Sequence, residues 1–151
     1  MTPLQIAAAY SAIANHGLLP QPFIVSEMRY TDGKNAITQT AKPESVISDH
    51  TAKLMAGMLT SVVENHYKIA KIKGYFVAGK TGTAQVAENG KYSEDRTNHT
   101  FAGFAPATNP QIVLVVKYEE PARKWAEQTA LNTFREMMKF TLQYYNIPND
   151  R

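Results

Sequence analysis

A chain of 151 residues with a net charge of +3, acids and bases mixed along its length, is long enough for one compact domain with a core and too mildly basic to imply a nucleic acid partner. Cysteine is absent, which removes disulfides, thiolate zinc sites and cysteine nucleophiles. There is no run of about 18 apolar residues to span a membrane, and the first residues lack the basic-then-apolar pattern of a signal peptide.

Thr2-Pro3 reads as the N-cap and first position of a helix over residues 3 to 16. Leu4, Ile6, Ala7, Ala8, Ala9, Tyr10, Ala12, Ile13 and Ala14 make it apolar almost all round, which predicts a buried helix. So abrupt a start on a helix that must be buried is expected where a chain has been cut inside a larger domain. Gly17 suits the left-handed position after the helix, and Pro20 blocks continuation. Residues 22 to 40 read as a hairpin, with Ile24, Met28 and Tyr30 set against Val25, Glu27 and Arg29. Its Asp32-Gly33 is a two-residue turn signal.

Ser48 caps a second helix over residues 49 to 65, whose Met55, Met58, Leu59, Val62 and Val63 form one apolar face. A connector carrying Lys68, Lys71 and Lys73 follows and reads as solvated. Then comes a strand from Phe76 to Val86. Residues 88 to 98 are polar and read as a loop, with Lys91 to His99 mobile beside a cleft. Phe101 to Ala105 and Gln111 to Tyr118 read as strands joined at Asn109-Pro110. Ile112 to Val116 are apolar on both faces, which predicts a central, covered strand. Glu119 and Glu120 form a strand-end pair. A last helix runs over 125 to 145, anchored by Trp125, with Ala130, Phe134, Met137, Met138, Thr141 and Tyr145 along one face. The fold class is α+β, an antiparallel sheet covered by helices. His16, His50, His66 and His99 stand at no metal-binding spacing, so no metal and no cofactor is expected.

Gly79-Lys80-Thr81-Gly82-Thr83 carries the chemistry. Gly74 to Thr81 satisfies the nucleotide-binding pattern G-x-x-x-x-G-K-[ST] at every position. The physics opposes a P-loop, because Tyr75, Phe76, Val77 and Ala78 prefer a pleated strand, and the residues after Thr81 bring glycine and β-branched side chains where a helix should begin. The alternative is the K-T-G motif of serine acyl-transferases that handle penicillin. A strand at the lip of a cleft offers backbone groups to an extended peptide. Lys80 supplies positive charge toward a terminal carboxylate. Gly82 lets a substrate approach the backbone. Thr81 and Thr83 lie two apart and face one side, so both hydroxyls are expected in one cleft. The Thr83 amide is placed to help hold the oxyanion of a tetrahedral intermediate. A bare K-T-G is also compatible with a plain surface strand.

The surrounding segments resemble class B penicillin-binding proteins, the monofunctional D,D-transpeptidases. Thr2-Pro3-Leu4-Gln5-Ile6-Ala7-Ala8-Ala9-Tyr10 is similar to the helix after that family's Ser-x-Asn motif. Gly74 to Gln85 resembles its K-T-G-T strand. Phe101-Ala102-Gly103-Phe104-Ala105-Pro106-Ala107, Asn109-Pro110 and the strand to Glu119-Glu120-Pro121 resemble the elements that follow. The likeness implies a partial transpeptidase or serine β-lactamase-like fold, with a five-stranded antiparallel sheet between helices. It also implies the reaction. A serine attacks the penultimate D-Ala of a peptidoglycan stem peptide, releases the terminal D-Ala and passes the acyl group to another stem's amine; β-lactam antibiotics trap the acyl-enzyme.

By the same resemblance Lys80, Thr81, Gly82 and Thr83 bind substrate, with Lys80 and the Thr83 amide catalytic. The protein would work on the outer side of the cell membrane. A β-lactam sensor or hydrolase is the alternative within the resemblance. No Ser-x-x-Lys and no Ser-x-Asn occur: Ser11, Ser26, Ser45, Ser48, Ser61 and Ser93 each lack a lysine three residues later. The family carries both motifs upstream. Residues 1–151 are therefore expected to be the C-terminal portion of a transpeptidase domain, partnered by an N-terminal half that holds the nucleophile, and inactive alone. Asn65-His66-Tyr67-Lys68 also departs from the Gly-Thr-rich stretch many relatives carry before this strand.

Overall fold

A computed structural model describes residues 1–88 and 90–151. Helix α1, Pro3–Ala14, starts on a capping box: the Thr2 hydroxyl accepts from the Gln5 amide at 3.2 Å, and the Gln5 side chain accepts from the Thr2 amide at 2.8 Å. Only Ala12 of α1 is fully buried, so the all-round apolar character does not make it a core helix among the described residues. The helix ends on Asn15. The left-handed residue just past it is His16, with φ 56°, and Gly17 follows at φ 89°. A Cβ on Gly17 would lie 2.0 Å from the Ile47 carbonyl oxygen, because β1 (Leu18–Leu19) pairs there with β4 (Glu44–Ser45).

The expected hairpin forms with shorter strands, β2 (Glu27–Arg29) and β3 (Asn35–Ile37). Its connection is longer than the two residues expected. The Tyr30 amide donates to the Lys34 carbonyl, which leaves Thr31, Asp32 and Gly33 as the loop, with Gly33 left-handed at φ 84°. Ile24, Met28 and Tyr30 are all exposed, so the hairpin stands off the core.

Helix α2, Asp49–Asn65, is capped by the Ser48 hydroxyl, which accepts from the Thr51 amide at 3.1 Å. The connector after it folds inward through a 3₁₀ turn, Lys68–Ala70, that buries Ala70 and Ile72 and pairs Lys71 with Glu64 at 2.8 Å. The main sheet is antiparallel with order β5-β6-β7: Ala78–Glu88, Lys91–Ala105 and Ile112–Tyr118. The resemblance implies five strands; among the described residues this sheet has three. Strand β6 is central, whereas Ile112 to Val116 occupy an outer strand. β7 is still apolar on both faces, because α1 packs over one and α3 (Ala130–Tyr144) over the other. A 3₁₀ turn, Ala126–Gln128, precedes α3, so the helix starts later than expected, and Trp125 is exposed instead of anchoring it.

The core lies between the sheet and α3. Ala130, Leu131, Phe134, Met138 and Leu142 of α3 meet Phe101, Val116 and Val77 of the sheet side and Val63 of α2. Polar residues 91–98 do not form the expected loop. They extend β6, pairing Lys91 with Glu88 and Tyr92 with Ala87, before Ser93 to Arg96 bulge opposite Val86. Asn89, inside the stretch expected as loop, lies outside the described residues.

The last residues pin the entry to β5. Asp150 accepts from the Phe76 amide at 2.7 Å, the Thr108 amide at 3.1 Å and the Thr108 hydroxyl at 2.9 Å, while the Tyr75 hydroxyl donates to the Ile147 carbonyl at 2.6 Å. Asp150→Ala leaves the Phe76 amide and both Thr108 donors unanswered. It is expected to cost about 2 kcal/mol, read as a lowered urea midpoint at unchanged slope.

Candidate functional site

Strand β5 begins buried and ends exposed. Ala78 and Gly79 are enclosed, and a Cβ on Gly79 would lie 2.7 Å from the Phe101 ring, so glycine lets the strand lie flush against β6. From Lys80 to Gln85 the strand is open except for the half-buried Thr81. Its only strand neighbour is β6, so the other backbone edge carries no strand partner among the described residues. Gly82 differs from Gly79: an added Cβ would meet only Thr100 Cβ, at 3.8 Å. The fold tolerates a side chain there, so packing within the chain does not account for the bare position.

The motif residues straddle the strand. Lys80, Thr81 and Gly82, with Ile6, Tyr10 and Thr100, line a cavity of about 560 Å³ on the α1 side. Thr83 and Gln85 line another of about 690 Å³ with Arg123, Lys124 and Trp125. Thr81 and Thr83 stand two apart on one face of β5, opposite Phe101 and His99, and their hydroxyls are engaged differently. That of Thr81 donates to the Tyr67 hydroxyl at 2.6 Å, while Thr83 is exposed beside the second cavity. A larger hollow of about 860 Å³, lined by Lys71, Lys73, Tyr75, Asn149 and Arg151 among others, touches none of the four motif residues.

Lys80 is held from three directions. Its Nζ donates to Tyr67 Oη at 2.9 Å, to the Thr81 carbonyl at 3.1 Å and to Thr81 Oγ1 at 3.3 Å, and lies 5.2 Å from the Tyr67 ring centre. Tyr67 is itself set by the Phe101 ring, edge-on at 6.2 Å.

Behind Thr83, its register partner His99 is fully buried. His99 Nδ1 bonds Thr129 Oγ1 at 2.8 Å and Nε2 bonds Thr97 Oγ1 at 3.0 Å. Each ring nitrogen of His99 therefore has a threonine hydroxyl as its partner, which satisfies the buried imidazole on both sides. This chain ties the turn before α3 to the centre of the sheet. Farther out, Arg96 bonds Glu120 at 2.6 Å and 2.9 Å and Glu88 at 2.7 Å. The guanidinium holds the Glu120 carboxyl below the usual carboxylate range. Glu119 pairs with Lys117 at 2.5 Å, so the two glutamates are separate braces and not a pair.

The sequence marks Asn65 to Lys68 as a departure from the family but gives Tyr67 no role in the site, because it sits in an irregular connector; His99 closes a polar stretch that reads as a loop. Gly74 to Thr81 does not form a phosphate-wrapping loop: β5 starts at Ala78 and runs on to Glu88 where a P-loop would open a helix. Among the described residues no cluster of three or more His, Cys, Asp or Glu side chains is placed to hold a metal ion.

Residues 1–139 match the family model of the penicillin-binding protein transpeptidase domain. The chain is 36% identical to penicillin-binding protein PbpB of Mycolicibacterium smegmatis over 98% of its length and 25% of that protein's. It is 32% identical to the probable peptidoglycan D,D-transpeptidase PbpC of Pseudomonas aeruginosa, over 97% of this chain and 25% of the relative. It thus spans about a quarter of the length of these curated relatives. Penicillin-binding protein 3 of Mycobacterium tuberculosis superposes with a TM-score of 0.88 at 32% identity, covering 100% of this chain and 37% of the other. That protein has also been solved with aztreonam and with ampicillin. In sequence and in fold, the chain belongs to the penicillin-binding protein transpeptidase domain family.

Proposed function

We propose that this chain forms the substrate-binding wall of a serine-type peptidoglycan D,D-transpeptidase, acting in cell-wall synthesis on the outer side of the cell membrane. The observation that carries the reading is strand β5: the Lys80 ammonium sits beside an open backbone edge, and Gly82 is bare where the fold does not require it. An extended stem peptide ending in D-Ala-D-Ala adds along that edge by main-chain hydrogen bonds. Its terminal carboxylate meets Lys80 and the exposed Thr83 hydroxyl. The Thr83 amide stabilises the oxyanion formed when serine attacks the penultimate carbonyl. β-Lactams occupy the same wall, a reading supported by the aztreonam and ampicillin complexes of the mycobacterial relative.

The nucleophile comes from outside these residues, because no serine here has a lysine three positions later. The test is intact-mass labelling with penicillin. This chain by itself is expected to form no adduct, whereas the full-length protein is expected to acylate at one serine of a Ser-x-x-Lys motif. A full-length protein that neither labels nor releases D-Ala from a stem peptide defeats the assignment.

A further inference from the structure

We propose that Tyr67 is a further ligand-contacting residue of this site, donating a hydrogen bond to the carboxylate that Lys80 attracts. The inference rests on the substrate-binding role of β5 and adds a group that the motif does not contain.

Counting protons carries the argument. Lys80, Thr81 and Tyr67 together bring three ammonium protons and two hydroxyl protons. Four hydrogen bonds are made inside the group: Lys80 to Tyr67 Oη, to the Thr81 carbonyl and to Thr81 Oγ1, and Thr81 Oγ1 to Tyr67 Oη. Both acceptor positions of the phenol oxygen are therefore filled. Its own proton has no acceptor among the described residues. A ligand atom meeting this hydroxyl must accept, so the site suits a carboxylate and rejects an amine. Lys80 Nζ lies 2.9 Å from the same oxygen, so an anion drawn to the ammonium arrives within reach of the O–H.

The phenol is also prepositioned. Its ring lies edge-on to the fully buried Phe101, and its backbone amide donates to the Val62 carbonyl at 3.2 Å, at the end of α2. A donor held this way loses little freedom when the ligand binds.

The experiment uses Tyr67→Phe and Lys80→Ala in the full-length protein, with folding checked by thermal melt. Tyr67→Phe keeps the ring on Phe101 and deletes the hydroxyl. Second-order acylation rates are measured with benzylpenicillin and with its methyl ester, which has no carboxylate. Tyr67→Phe is expected to slow acylation by the acid about tenfold or more, and to leave the ester at the parent enzyme's ester rate. Equal slowing of acid and ester would make Tyr67 a prop for the strand and overturn the proposal. An unchanged acid rate in Tyr67→Phe, with Lys80→Ala slow, overturns it while sparing the substrate-binding role of β5. If Lys80→Ala also acylates at the parent rate, that role fails first, and the place of Tyr67 in it falls too.

Discussion

Lys80→Ala in the full-length protein is expected to slow acylation by penicillin by about a hundredfold or more, ~3 kcal/mol of transition-state stabilisation. The ammonium is the only cationic side chain of the Lys80-Thr81-Gly82-Thr83 segment, and all three of its protons are directed by Tyr67 and Thr81. Alanine removes the charge, the donors and the partner that orders the Thr81 and Tyr67 hydroxyls. Thr83→Val deletes one hydroxyl and keeps the β-branched shape, so it is expected to cost less, roughly ten- to a hundredfold. Lys80 is exposed, so the variant should melt near the parent temperature. Parent acylation rates in folded Lys80→Ala and Thr83→Val would remove the cleft from this strand.

Phe134→Ala is expected to cost about 3 to 5 kcal/mol of stability, the range for emptying a buried aromatic site. Phe134 is fully buried in the face of α3 that covers the sheet, with its ring centre 4.5 Å from that of Phe101. The opposing Gly103 has no side chain to fill the void; a Cβ built there would already lie 3.0 Å from the Phe134 ring. Collapse into the cavity is therefore limited, which places the cost toward the upper end. Urea unfolding followed by circular dichroism measures it. A loss under about 1 kcal/mol would mean that α3 is not the main cover of the sheet. Because Phe101 also supports Tyr67, the same change should disturb the Lys80 cluster.

The parts of this fold with a strong local pattern were legible in the sequence. Helix α2 begins and ends where its cap and apolar spacing place it, and β7 is apolar on both faces because helices cover both. Patterning failed where burial is uneven. The outer half of β6 is polar because it projects into solvent as a paired ribbon, so its residues carry no core-facing alternation. Helix α1 reads as buried from composition, yet it covers the sheet with one side only. Lys80 to Thr83 were found by motif, and the structure places them together on one strand. Their division between two cavities was not legible, because it depends on the turn before α3 and on a tyrosine 13 residues upstream of Lys80. Contacts of that kind are fixed by tertiary packing and leave no period to read.

The clamp formed by Ile147 and Asp150 has a practical side. Residues 74 positions apart in the chain share bonds at the root of the Lys-Thr-Gly-Thr strand, so a change at Asp150 acts on that strand. An affinity handle that displaces Asp150, or a deletion after Tyr145, would unmoor Phe76 and Thr108 without touching a single motif residue. Kinetic comparisons among such trimmed proteins would then report on the tether as much as on the chemistry. Handles placed in the exposed Thr31 to Gly33 loop, which stands off the core, avoid that confusion.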